Sequence, residues 1–364
     1  MKILHVIPSM GGGGAERQLC YLAEQMPLKG IDFHVAYFKE GQNSKRLNNS
    51  NAVVHKLSCR SNYDPMIIYK IVKITRSINP HIIQTWISQI DILAGLSSVF
   101  LKPPLILSER NSSLAYSGGW KDHLRIAAGR RADAIIANSK EGINYWTDKV
   151  KISLLTVIPN GIPFDEILQT PKASLSSMQI DESNEIIIFA GSYYDRQKNL
   201  FNLLKALQIV LHERHKAVAI FFGDGPQKKD IINIKEKYEV RNRIKIMDYT
   251  SELWSWFKVS NVFISVSNYE GNPNTVLEAV ASKCPVVISD IPEHREFLDE
   301  DSSCFVPVSN TKAIADGIIK ALSDPDEAQR KAENAYNKVK TWSTETVADK
   351  YIKFYNKLLN QKGF

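Results

Sequence analysis

The sequence predicts an α/β protein made of two doubly wound domains, each a parallel sheet with helices on both faces. Three observations lead there. Short apolar runs alternate with helical patterns along the chain, the reading of strands joined by crossover helices. Several of these runs break at glycine- or proline-rich turns, which punctuate strand-to-helix junctions. The alternation also pauses once, over residues 162–180, and then starts again.

Composition agrees with this class. With 364 residues the chain is long enough for two ordinary domains. A hydrophobic share of 44% and a charged share of 23% exclude disorder, collagen and coiled coil. Cys20, Cys59, Cys284 and Cys304 lie far apart without metal-ligand spacing and read as free thiols of a reduced compartment. Lys2 is followed directly by a strand and Pro8, which is not a secretory signal. The longest apolar stretch, 92–101, is about half of a membrane span. A soluble, cytoplasmic protein is expected. The net charge of +7 fits an anionic substrate, an acidic membrane surface or nucleic acid. Nucleic acid fits least, because no helix-turn-helix, RRM or zinc-finger pattern is present.

The first strand, Ile3–Ile7, breaks at Pro8 and runs into Gly11-Gly12-Gly13-Gly14 before a helix that begins near Ala15. Strand, glycine turn, helix is the layout of a phosphate-binding junction, although Glu16 stands where the dinucleotide fingerprint has its third glycine. Strands are predicted at 33–38, 52–57, 81–86, 104–108, 133–137 and 154–158, separated mostly by helical stretches such as 66–78. The domain closes at Pro159-Asn160-Gly161, a tight turn. Pro163, Pro171 and the serines at 174, 176 and 177 make 162–180 read as the interdomain connection.

In the second domain, strands are predicted at 185–190, 217–222, 243–247, 262–266, 285–289 and 304–308. Two βα domains in sequence imply a cleft between them. The stretch from Ser267 to Glu278 is its chemical centre. Asn272 serves as N-cap and Pro273 as first helical residue, so that the N–H groups of Asn274, Thr275 and Val276 face outward at the carboxyl end of the sheet. Such an end favours an anion. Glu270 and Glu278 bracket it, either as acceptors for the hydroxyls of a nucleotide sugar or as two solvated carboxylates of a capped surface helix. Gly191–Asn199 places Arg196 and Lys198 after a strand, where cations either neutralise a departing diphosphate or simply lie in a solvated loop. Gly223-Asp224-Gly225-Pro226 has the glycines to let backbone approach a flat ligand, or to do no more than reverse the chain. His294 follows a strand end and has a structural or substrate-edge role. The last helix, 344–359, has one apolar face through Val347, Tyr351, Phe354, Tyr355 and Leu358. Between Gly118 and Arg131, the cations Lys121, Arg125, Arg130 and Arg131 stand with Trp120, Leu124 and Ile126, a pattern that can lie on an anionic bilayer.

These pieces, in this order, resemble a retaining glycosyltransferase of family four with the GT-B fold. The likeness is carried by Gly13-Gly14-Ala15-Glu16, Pro159-Asn160-Gly161, Gly191 to Asn199, Gly223 to Pro226, Glu270 and Glu278 with seven residues between them, and Cys284 to Asp290. The resemblance implies two Rossmann-like domains, 1–162 and 181–342, with a C-terminal helix (343–364) that crosses back to the first. It implies that Glu278 holds the ribose and that Glu270 lies beside the transferred sugar. Arg196 and Lys198 would act at the diphosphate with Gly191, Asn272 and the N–H groups of Asn274, Thr275 and Val276, and Gly13 and Gly14 would close over the sugar-phosphate.

The sequence departs from the family at three places. Ser192 replaces an arginine, for which Arg196 is the stand-in. The strand ending at Trp86 and the next, followed by Ser108-Glu109-Arg110-Asn111, show no histidine at their ends, which leaves Asp91, Glu109, Arg110 and Asn111 with two readings, the acceptor or sugar side and a structural role. Lys283 stands where glycine is common. The activity implied by the resemblance is transfer of a hexosyl group from a nucleotide sugar, UDP-linked in most relatives, to a glycan or lipid-linked acceptor with retention of configuration. O-antigen, capsule or other surface polysaccharide synthesis is the expected setting, with no metal or other cofactor and with peripheral contact at the inner membrane face. A sugar-nucleotide epimerase and a non-catalytic binding partner are the rival readings.

Overall fold

The computed structural model describes residues 1–61, 64–116, 118–152 and 154–363. The chain separates into two compact units, one formed by Met1–Gly161 with the segment from Trp342 onward, the other by Ile162–Thr341.

The first unit holds strands β1 (Lys2–Ser9), β2 (Asp32–Lys39), β3 (Val53–Lys56), β4 (Ile82–Trp86), β5 (Leu105–Glu109), β6 (Ala134–Ala137) and β7 (Leu155–Val157). They form one sheet in the order β3-β2-β1-β4-β5-β6-β7, every pair parallel. Buried residues on both faces explain why these strands read as continuous apolar runs. β1 continues through Pro8, where a break was expected. Ile7 pairs with Tyr37 and Ser9 with Lys39, so the proline without an N–H falls between paired positions.

The final helix, Thr344–Lys362, belongs to this unit, and residue 364 of the expected helix lies outside the described residues. Its Val347, Tyr351, Tyr355 and Leu358 join the core over β1 and β4. Tyr355 Oη also donates to Gln84 Oε1 at 2.5 Å, and Gln84 Nε2 donates to Ser108 Oγ at 2.8 Å. Beside them the Trp86 indole donates to His5 Nδ1 at 2.8 Å. Burial pushes His5 down to about 3, which keeps the ring a neutral acceptor.

The second unit holds β8 (Glu185–Ala190), β9 (Ala217–Phe222), β10 (Ile244–Met247), β11 (Val262–Ser265), β12 (Val286–Ser289) and β13 (Cys304–Val306), ordered β10-β9-β8-β11-β12-β13 and again parallel. In both sheets the strand order reverses beside the first strand, between β1 and β4 and between β8 and β11. Ligands of open α/β sheets gather at such switch points, outside the carboxyl ends of the strands.

The segment 162–180 is not a free connection. Ile162, Ile167 and Ile180 are buried, and a short helix, Phe164–Gln169, packs within the second unit. Lys258 Nζ holds the carbonyls of Leu168 at 2.8 Å and Thr170 at 2.5 Å, and Ala173 N–H donates to Ser255 O at 3.0 Å. Its prolines and serines bend the chain, but its three isoleucines anchor it.

Candidate functional site

Loops leaving β8, β9, β11 and β12 meet at the carboxyl edge of the second sheet. Gly191 N–H donates to Phe222 O at 3.0 Å and Tyr193 N–H to Asp224 O at 2.8 Å. Asn268 N–H reaches Gln197 O at 2.7 Å, and its amide Nδ2 reaches Arg196 O at 3.0 Å. The helix carrying Arg196 and Lys198, Asp195–Lys198, is thereby fastened to the loop carrying Glu270.

Lys198 Nζ and Glu270 Oε1 form an ion pair at 2.5 Å, with side-chain exposures of 12% and 7%. Ser267 Oγ donates to the same oxygen at 2.6 Å, and Gln197 Nε2 reaches Oε2 at 3.3 Å. Burial works to raise the Glu270 carboxyl, but the Lys198 ammonium, with the hydrogen bonds from Lys198 and Ser267, holds it below the ordinary carboxylate range. Two residues expected to act at different parts of a ligand are thus joined directly to each other. Arg196 is exposed and stands outside this pair.

The following helix spans Asn274–Ala281 and starts one residue later than expected, with Pro273 rather than Asn272 at the N-cap position. Pro273 has a ψ of 100°, an extended conformation that cannot begin the helix. Leu277 N–H, bonded to Pro273 O at 3.1 Å, is the first inside the ladder, so the N–H groups before it lie at the helix end. Asn272, Val276 and Glu278 are buried, whereas Asn274 and Thr275 are half-buried. At the far end, Lys283 N–H bonds Val280 O at 2.9 Å and Cys284 N–H bonds Ala279 O at 3.0 Å. Lys283 has φ 56°, the left-handed conformation that ends such a helix and that glycine adopts without strain.

The glycines at 223 and 225 do not open the site to a flat ligand. A Cβ on Gly223 would overlap the Gly191 carbonyl oxygen, and one on Gly225 would lie 2.6 Å from the Tyr193 carbonyl oxygen. What approaches these two residues is the protein's own backbone. Gly191 is looser, since a Cβ there would touch Lys198 Cε at 3.4 Å.

In the first unit, Gly13 precedes the helix Gly14–Leu28 without any side-chain cap. The buried Glu16 folds back over the turn, and a Cβ on Gly13 would overlap its carboxylate. Asn43 Nδ2 donates to Gly11 O. The glycines therefore make room for Glu16, and burial raises that carboxyl.

Asp91 and Glu109 do not form an open wall; both are fully buried around Arg125. Arg125 Nη2 lies 2.9 Å from Asp91 Oδ2 and Nη1 lies 2.6 Å from Glu109 Oε2. Glu109 Oε1 accepts from the N–H groups of Arg110 and Asn111, each at 2.9 Å, and from Tyr116 Oη at 2.6 Å. Burial pushes Asp91 up to about 6 while Arg125 pulls it down. Arg110 is a strut: its guanidinium lies 4.1 Å above the Trp86 ring and bonds Asn160 Oδ1 at 3.0 Å and Tyr351 Oη at 2.6 Å. Of the four candidates only Asn111 is exposed. The same cluster takes Arg125, 1% exposed, out of the basic surface segment. Lys121, Arg130 and Arg131 remain exposed there, with Trp120 and Leu124.

The sequence gives Ser267 and Ser289 no role of their own within the segments singled out, since small polar residues at strand ends look like turn serines. Sequence reasoning missed Ile87, a β-branched residue at φ 73° directly after β4. That conformation is costly for such a side chain.

Residues 12–166 match the family described as Glycosyltransferase Family 4, and residues 173–338 match that described as Glycosyl transferases group 1. An uncharacterized glycosyltransferase of Methanocaldococcus jannaschii is 23% identical over 325 residues, 77% of this chain and 80% of its own length. The O-antigen biosynthesis glycosyltransferase WclY of Escherichia coli is 26% identical over 233 residues, 63% of each chain. The capsular polysaccharide biosynthesis glycosyltransferase CapH of Staphylococcus aureus is 22% identical over 314 residues, covering 81% of this chain and 83% of that one. Among solved structures, Anabaena HepE in complex with UDP-glucose superimposes with a TM-score of 0.85 at 18% identity, over 98% of this chain and 100% of that one. That likeness is one of fold, the GT-B arrangement of two α/β domains.

Proposed function

The chain belongs to the glycosyltransferases, its first unit to family four and its second to group 1, and on that premise we propose that it moves a hexosyl group from a UDP-sugar to a hydroxyl of a glycan or lipid-linked acceptor, with retention of configuration. The buried pair between Lys198, at the end of the helix Asp195–Lys198, and Glu270, in the loop just ahead of the helix that starts at Asn274, carries this reading. A diphosphate at that helix end meets N–H groups and a nearby ammonium, and both become more favourable as charge grows on the departing phosphate. Glu270, ionised and fixed in place, lies beside the sugar that moves. Glu278, in the second turn of the same helix, takes the ribose hydroxyls. HepE was solved with UDP-glucose, and WclY and CapH are named for O-antigen and capsule synthesis. Surface polysaccharide synthesis is the setting these relatives favour.

No described helix is long and apolar enough to cross a membrane. Peripheral contact with an anionic bilayer is part of the proposal. It uses Trp120 (66% exposed) and Leu124 (37%) with Lys121, Arg130 and Arg131.

The test is a panel of nucleotide diphosphates and their sugars scored by thermal shift and by slow donor hydrolysis. UDP should raise the melting temperature and Glu278→Ala should weaken that rise. No shift with any nucleotide diphosphate would sink the donor site, and an inverted anomeric product would sink retention. Epimerised donor formed in the absence of acceptor would replace transfer with epimerisation.

A further inference from the structure

A hydrogen-bonded path runs from the Lys198–Glu270 pair to a histidine that the donor reading leaves without a task. Ser267 Oγ donates to Glu270 Oε1 at 2.6 Å, and Ser289 Oγ donates to Ser267 O at 2.6 Å. His294 Nδ1 lies 2.8 Å from Ser289 O. A carbonyl oxygen only accepts, so Nδ1 carries the proton and the neutral ring keeps a lone pair on Nε2. His294 is 0% exposed, and its Nε2 has no hydrogen-bond partner among the described residues. Buried acceptors in native proteins are nearly always satisfied, and a ligand group is one of the few things that explains an exception. Burial lowers the ring's pKa, which keeps it an acceptor, while the Glu270 carboxylate pulls the other way. The hydrogen bonds through Ser267 and Ser289 place the imidazole two residues away from the Glu270–Lys198 pair.

We propose that His294 Nε2 accepts a hydrogen bond from one hydroxyl of the transferred sugar, which makes His294 a specificity-determining residue of the donor site. The proposal rests on the reading that Glu270 lies beside that sugar. A fixed, buried acceptor selects strongly for a hydroxyl, because a deoxy sugar leaves the nitrogen unpaired. Its neighbours divide the labour: Lys198 and Glu270 supply charge, and His294 supplies a neutral acceptor that recognises without competing for the diphosphate.

The experiment separates this from a ring that only braces the turn at Ser289. His294→Asn keeps an amide donor near the Nδ1 position and deletes Nε2. Parent and variant are assayed for hydrolysis of UDP-glucose, UDP-galactose and their N-acetyl forms. The best of these is then compared with its monodeoxy analogues. In the parent, one analogue should lose about tenfold or more in kcat/KM, and in His294→Asn that same analogue should lose about twofold or less. The melting shift given by UDP alone should be equal in both proteins. Equal deoxy penalties in parent and variant would overturn the proposal, as would loss of the UDP shift in the variant. If His294→Asn does not fold, His294→Gln, whose amide nitrogen lies near Nε2 and can donate, takes its place: it should reproduce the loss of discrimination, and retained discrimination counts against the proposal. Absence of any UDP shift in the parent instead overturns the donor site itself.

Discussion

Lys198 Nζ and Glu270 Oε1 stand 2.5 Å apart with almost no solvent around them. A buried carboxylate that loses its cation is left uncompensated, so Lys198→Ala should destabilise the second unit by about 3–5 kcal/mol. Lys198→Met combined with Glu270→Leu should recover most of that stability while donor hydrolysis stays lost. Urea denaturation beside turnover measures both, and a Lys198→Ala protein as stable as the parent would show that the pair is not held as described.

Asp91 gives the first unit a pH dependence of defined sign. Its folded pKa is raised to about 6 from 3.8, chiefly by burial. The native state therefore holds this proton more tightly than the unfolded chain does. The resulting stabilisation is complete below the unfolded pKa of about 4 and is lost as pH rises through the folded value. Asp91→Asn, neutral throughout, should remove this component, so the difference in melting temperature between variant and parent should move in the variant's favour as pH rises from about 4 to 7. A constant difference across that range would refute it.

Two backbone substitutions should act in opposite directions. Lys283→Gly relieves a left-handed φ of 56°, a gain of about 1 kcal/mol. It also gives up the surface ion pair between Lys283 Nζ and Glu333 at 2.9 Å, about 0.5 kcal/mol. A small net rise in melting temperature is expected. Gly223→Ala forces a methyl group into the Gly191 carbonyl and should cost about 1–3 kcal/mol. It should also weaken UDP binding, since Gly191 opens the loop that carries Lys198.

Neutralising Lys121, Arg130 and Arg131 to Gln should weaken flotation with anionic vesicles several-fold per charge, about 1 kcal/mol each at low salt. Arg125→Gln should instead lower the melting temperature, because it strips the cation from two buried carboxylates. Equal flotation of the triple variant and the parent would remove this segment from membrane contact.

Much of the second unit's candidate site was legible as a set of neighbours because its residues sit in short, contiguous motifs. Glu270 and Glu278 are fixed by spacing on one loop and helix, and Lys198 follows a strand whose apolar run is unmistakable. The Asp91–Glu109–Arg125 cluster was not legible. Its carboxylates lie on a helix after β4 and at the end of β5, and Arg125 on a third element, so no local spacing marks them as partners. Glycine misled for a different reason. Gly223 and Gly225 lack a Cβ because another loop needs the space, and a sequence cannot tell that loop from a ligand. His294 was legible as a polar residue at a strand end, but the direction of its proton comes only from the Ser289 carbonyl.

The last helix makes the two units nested along the chain rather than consecutive. All residues of Ile162–Thr341 are synthesised before Tyr351, Tyr355 and Leu358 reach the first core. The chain of the second unit is therefore complete before the cover of the surface over β1 and β4 has been made. A stop codon just before Trp342 would spare the half of the protein next to it and harm the half that was made first.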